Sequence, residues 1–276
     1  MLNKNLFAIT IFISSFLLFL VQPIIAKQIL PWFGGTSAVW TTCLTFFQVA
    51  LLLGYMYSDW IQRFSPKKQG IFHCIVICVS LIFLPIIANP DWKPINSEEP
   101  IIHILGLLFF TIGLPYFVLS TTGPLLQSWF ARENKFSEES KKTYRLFALS
   151  NLASIIGLLM YPFAIETWIT LSAQAITWSI FYFLFAVFAI LTALRVVRSN
   201  ALSQSSSTLI PEAIEEKLDR VVIGRQDKFL WIFLPFIATS LLLAISNHIT
   251  QNIASIPFLW VFPLTLYLLT FVVVFE

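Results

Sequence analysis

Charge is what this chain has least of. Only 11% of its residues are Asp, Glu, Lys or Arg, while 58% are hydrophobic, against roughly 25% charged residues in a soluble domain. That shortage excludes a water-soluble globule, which needs more polar surface than this to cover it. Glycine is also sparse, with nine residues that never fall as G-x-G. The Gly-rich turn between a strand and a helix that cradles a nucleotide-like cofactor is therefore missing. Neither a cofactor nor a catalytic residue is expected in these 276 residues. His73, His103 and His248 are scattered near expected span ends without ligand-like pairing, so no metal site is expected. Cys43, Cys74 and Cys78 lie in apolar stretches; Cys74 and Cys78 are one helical turn apart, but two thiols alone make a weak metal site. All three are read as small apolar packing residues.

Long uncharged runs are plentiful. Stretches at about 6–26, 39–58, 70–88, 101–121, 146–165, 173–194, 229–247 and 258–275 reach or approach the roughly 20 residues a helix needs to cross a hydrocarbon core about 30 Å thick. No charged side chain falls inside them, where each would cost roughly 2.5–3.5 kcal/mol at a helix centre. The expected fold is all-α: one polytopic transmembrane helix bundle of about eight spans over residues 1–276, with the lipid bilayer as its solvent.

An even number of spans puts both termini and the loops around Arg63, Arg132 and Arg198 on one face. That face collects all but two of the seventeen Lys and Arg residues, the exceptions being Lys27 and Lys93. By the positive-inside rule the crowded face is cytoplasmic, giving a chain with both ends inside. The basic residues are spread over several loops, so no nucleic-acid partner is expected.

Local signals refine this picture. A signal peptide is argued against by the length of the first apolar run and by Ile24 before Ala26. Trp40, Trp60, Trp231 and Trp260 fall near span ends as interfacial anchors. Residues 27–38 are expected along the interface. Gly123-Pro124 is expected to open a short interfacial helix over Leu125 to Arg132. Residues 199–228 read as a cytoplasmic linker, Ser-rich at first and then carrying Ile214, Leu218 and Val221 at helical spacing. Small residues at Ala50, Gly54 and Ser58, at Ser150 and Ser154, and at Ala153 and Gly157 mark close helix contacts. Pro23, Pro85, Pro115, Pro162, Pro235 and Pro263 lie in or near spans and invite kinks.

A solute pathway needs polar groups facing a cavity, and Asp, Glu, Lys and Arg are absent from the spans. Amides remain: Gln48 near mid-span, Asn151 toward the inside, and Gln22, Gln174 and Asn247 toward the outside, with Glu166 at the outer boundary. They are expected to make interhelical hydrogen bonds. Lys27, Glu166 and His248 share the outer face as a shallow polar vestibule.

Several strings carry a family likeness: QPIIAK at 22–27, LPWFGG at 30–35 followed by SAVWTTCLTFFQVALLLGY, LSTTGPLLQSWF at 119–130, SNLASIIGLLMYP at 150–162, and SNHITQNIASIPFLWVFPLTLYLLTF at 246–271. In this order, over nearly the whole chain, they resemble the transporter-like membrane region of spermidine synthase-like multi-pass proteins. The resemblance implies an anchor or solute-handling module in the plasma membrane, the bacterial inner membrane being expected. It also implies a cytoplasmic synthase-like domain or subunit as partner, of the polyamine aminopropyltransferase kind, whose catalytic segment is not among these residues. A stand-alone transporter for polyamine-like cations is the alternative.

Overall fold

The computed structural model describes residues 2–93, 100–133, 143–206, 224–252 and 257–275. Among these there is no strand, and the chain forms eight helices: α1 Leu2–Phe33, α2 Ser37–Ile61, α3 Pro66–Ser80, α4 Pro100–Glu133, α5 Thr143–Trp168, α6 Leu171–Ser206, α7 Arg225–Asn252 and α8 Pro257–Phe275. The first seven meet the length and apolarity a membrane crossing requires, α3 with its 3₁₀ extension to Phe83; within α8 the apolar stretch Val261–Phe275 is shorter. The protein is a multi-pass helical membrane bundle.

α1 is the central helix. Its apolar window is 61% buried, against 6% for α7, which stands at the periphery beside α8. α1 packs on α4, α5 and α6. At 32 residues it is about 48 Å long at 1.5 Å per residue. Residues 27–33, expected along the interface, continue the helix; only 34–36 make the turn, with Gly34 at φ +76°. Tertiary contact explains the extension. Ile29 is fully buried, and Gln28 donates to Ile86 O at 3.3 Å and accepts from Ala88 N at 3.0 Å.

Those last bonds hold a second departure from the expected spans. α3 stops at Ser80, a 3₁₀ turn covers Leu81–Phe83, and Leu84 to Asn89 is non-helical, so the third span ends before Pro85. Irregular backbone at this depth survives only where protein satisfies its polar groups. Gln28 does so from α1, and Ser179 of α6 accepts from Ile86 N at 3.2 Å.

The expected interfacial helix at Leu125–Arg132 is instead the end of α4. Pro124 sits inside an unbroken helix, and Leu125, Leu126, Trp129 and Phe130 are buried against neighbouring spans. Burial of these large side chains outweighs the roughly 3 kcal/mol a helix-interior proline costs. Elsewhere the prolines leave a mark: Pro115 follows the π turn Phe109–Gly113 in α4, and Pro162 lies in the π turn Tyr161–Ile165 of α5. There the lost N–H widens the ladder without ending it. α6 runs to Ser206, beyond the expected start of the linker. The expected amphipathic helix of Ile214, Leu218 and Val221 lies outside the described residues.

Small residues let the helices meet. A β-carbon on Gly54 of α2 would overlap Ser120 of α4, and one on Gly157 of α5 would stand 2.6 Å from Phe16 O of α1. Hydroxyls and indoles then pin the crossings: Ser15 to Ser150 at 2.7 Å, Thr10 to Thr192 at 3.2 Å, Ser80 to Tyr182 at 2.6 Å, Ser58 Oγ to Thr121 O at 3.1 Å and Trp178 Nε1 to Leu17 O at 3.0 Å. Close approach and interhelical hydrogen bonds are what hold helices together where lipid removes the hydrophobic drive.

Contacts between helix termini show which ends lie together. Phe7 packs on Phe130, Trp129 bonds Gln69, Gly70 abuts Ala193, and Tyr144 stacks on Phe275. The start of α1 and the end of α8 thus share one end of the bundle with Lys67, Lys68, Arg132, Arg145 and Arg195.

Candidate functional site

Between α1, α2, α4 and α5, with α7 and α8 along the remaining side, lies a cavity of about 500 Å³. That volume falls within the range of small-molecule sites. It collects side chains one helix at a time, at helical spacing. Ser15, Leu18, Phe19 and Gln22 come from α1, and Leu44, Gln48, Leu51 and Tyr55 from α2. α4 contributes Tyr116, Ser120, Gly123 and Gln127; α5 contributes Phe147, Ser150, Asn151 and Ser154. In each set polar positions recur three, four or seven residues apart, the periodicity that places them on one helix face, and on α5 Asn151 directly follows Ser150.

The lining positions straddle the middle of α1 and α2, and on α5 they occupy the half nearer Thr143. The cavity is therefore central and displaced toward the cation-rich end. Toward the opposite end its walls include Gln22, Phe47 and Tyr116, all buried, with Gln22 Nε2 donating to Tyr116 Oη at 3.2 Å. Beyond them the main apolar core, including Ile25, Ile29, Val39 and Cys43, fills the bundle.

Three of the amides singled out from the sequence meet here, though not as expected. Gln22 makes its interhelical bond. Asn151 bonds within its own helix, donating to Phe147 O at 2.9 Å. Gln48 makes no hydrogen bond to any described residue, and its amide lines the cavity.

Two members of the expected outer vestibule meet. Lys27 and Glu166 form an ion pair at 2.5 Å, each somewhat more than a third exposed. His248 lies within hydrogen-bond distance of Asn252 one turn along α7, at 3.1 Å, and Asn247 beside it is exposed on the same helix. Lys93, the other cation at that end, sits over the Trp32 ring at 5.2 Å. Gln174 donates to Ile169 O at 2.7 Å, serving a helix end and not a pathway.

Gln127, Tyr55, Tyr116 and Tyr267 are cavity residues that sequence reasoning missed. Gln127 falls in the stretch expected to form an interfacial helix, which hid it. The signal is nevertheless present, since Tyr116, Ser120 and Gln127 fall at i, i+4 and i+11. A separate polar knot surrounds the buried Gln69, which donates to Phe64 O at 2.7 Å and accepts from Trp129 Nε1 at 2.8 Å and Arg132 Nη2 at 2.7 Å. His73 lies in the same region, buried with Nδ1 3.3 Å from the Tyr57 hydroxyl, and not at a span end. Among the described residues no three His, Cys, Asp or Glu side chains gather as a metal site.

Comparison with family models, curated proteins and solved structures finds no match to this chain. What the fold and the site define is a class: a multi-pass helical membrane protein whose mostly apolar central cavity carries polar side chains from several helices.

Proposed function

We propose that this chain is a solute-handling membrane module whose central cavity receives a small molecule from the cytoplasmic side. The observation that carries the reading is the convergence of otherwise rare intramembrane polar side chains from four helices on one cavity of about 500 Å³. Polar groups inside a membrane are costly unless satisfied, and those retained at a cavity mark substrate pathways. The cation-rich end is assigned to the cytoplasm by the positive-inside rule, with both termini there. The plasma membrane, in bacteria the inner one, is the location that fits such a bundle. A synthase-like partner of the kind the string resemblance implies would attach on the cytoplasmic side.

Gly123 gives the direct test, because a β-carbon there meets nothing within 4 Å. Gly123→Cys is introduced after the native Cys43, Cys74 and Cys78 have been replaced by Ala. A membrane-impermeant thiol reagent is then applied to intact cells and to inside-out vesicles. Labelling in the vesicles alone is expected. If residue 123 resists the reagent on both sides, the cavity is sealed and the solute-handling reading fails.

A further inference from the structure

We propose that the cavity selects an uncharged solute with a flat apolar body and a group that both donates and accepts hydrogen bonds, held between Gln48 and Gln127, and discriminates against polyamine-like cations. This rests on the cavity being a solute chamber, as proposed above.

The first argument is charge. Among the described residues no Asp, Glu, Lys, Arg or His lines the cavity, so an ammonium or carboxylate entering it would lose its hydration with no counter-charge in return. Five of the seven lining rings pack on another lining ring. They are taken up with one another: Phe47 lies on Tyr116 at 4.9 Å, Tyr267 meets Phe271 at 83° and 5.0 Å, and Phe271 meets Phe147 at 5.8 Å. What they present is an apolar wall suited to a planar hydrocarbon body.

The second argument is hydrogen-bond inventory. Most polar lining groups are already engaged: Gln22 with Tyr116, Asn151 with Phe147 O, Ser154 with Ser150 O and Ser120 with Phe117 O. Gln48 on α2 and Gln127 on α4 make no hydrogen bond to a described residue, although both line the cavity. Each carboxamide offers one acceptor oxygen and two donor hydrogens. A ligand that fills both the oxygen and the NH2 of these carboxamides must itself carry donor and acceptor, which a primary amide does and a quaternary or fully protonated amine does not.

The test uses the full chain in lipid nanodiscs and three probes sharing one ring: 2-naphthamide, 2-naphthoate and trimethyl(2-naphthyl)ammonium, with spermidine as a fourth ligand. Binding is measured by equilibrium dialysis, and uptake by empty nanodiscs is subtracted. Saturable binding of the naphthamide is expected, tighter than the charged probes and spermidine by about ten-fold or more, the worth of one or two neutral hydrogen bonds. The paired substitution Gln48→Leu and Gln127→Leu should weaken the naphthamide about ten-fold at an unchanged thermal midpoint, since neither amide supports the fold. Gly123→Leu should abolish binding by filling the space. Gln48→Glu should turn the preference toward the ammonium probe. Equal or tighter binding of a charged probe, or naphthamide binding indifferent to the paired Leu substitution, overturns the ligand class. If naphthamide fails to bind while Gly123→Cys is still labelled from the cytoplasmic side, the ligand class fails alone and the chamber stands; if the cysteine is unreactive, both fall.

Discussion

Gly54 of α2 and Ser120 of α4 meet where nothing fits between the two helices: a β-carbon at residue 54 would overlap Ser120 Oγ and stand 2.9 Å from its Cβ. Ser120 also lines the cavity, so this crossing sets the spacing of two cavity walls. Gly54→Ala is expected to destabilise the bundle by about 1–3 kcal/mol through overpacking, read as a lower thermal midpoint in detergent. Adding Ser120→Gly should recover part of the loss. Gly123→Ala, with open space beside it, should lose nothing. Equal midpoints for Gly54→Ala and the parent would show the crossing to be looser than this geometry requires.

Gln69 of α3 ties the α2–α3 turn to α4 with one side chain. It is fully buried, bonds the carbonyl of Phe64, and receives hydrogen bonds from Trp129 and Arg132. Gln69→Leu strands those donors and is expected to cost about 1–3 kcal/mol, since a buried polar group without a partner keeps its full desolvation penalty. Chemical unfolding in detergent measures this, and a change below a few tenths would contradict the buried knot.

The Lys27–Glu166 pair is predicted to contribute little stability. Its side chains are 36% and 40% exposed, a setting in which ion pairs are worth about 0–1 kcal/mol. A double-mutant cycle with Lys27→Met and Glu166→Gln should give a coupling energy within that range, falling as salt is raised. A coupling of several kcal/mol would mean the pair is far less hydrated than its exposure implies.

Orientation is open to a two-site experiment. In a chain with Cys43, Cys74 and Cys78 replaced, Lys67→Cys should react with an impermeant thiol reagent only in inside-out vesicles and Lys93→Cys only in intact cells. Both positions reacting from the same side would overturn the cytoplasmic assignment of the termini.

Much of the architecture is legible in the order of residues. The number of apolar runs, their approximate centres and the small residues of α2 and α5 all follow from lipid acting as solvent, a constraint strong enough to show in one sequence. Span ends are less legible. α1 outruns its expected end because Gln28 and Ile29 have partners on other segments. α4 continues through Pro124 because other spans bury its last turns. Such partners are distant in sequence, so no local signal announces them. At the site the residue types are visible and their grouping is not. Gln22, Gln48 and Asn151 stand out as rare amides, but Gln127 reads as interfacial and the hydroxyls as packing residues.

The sequence by itself determined that this protein lives in a membrane as a helical bundle, and on which end its cations collect. Those properties depend on composition and order along the chain, through the cost of placing charge and unpaired backbone in hydrocarbon. Tertiary structure alone decided that α1 is the central helix, that Lys27 pairs with Glu166, and that polar residues of α1, α2, α4 and α5 surround one cavity. The rotation of each helix about its axis is set by which neighbour it packs against, and that rotation determines whether an intramembrane amide meets a partner, lipid or an open space.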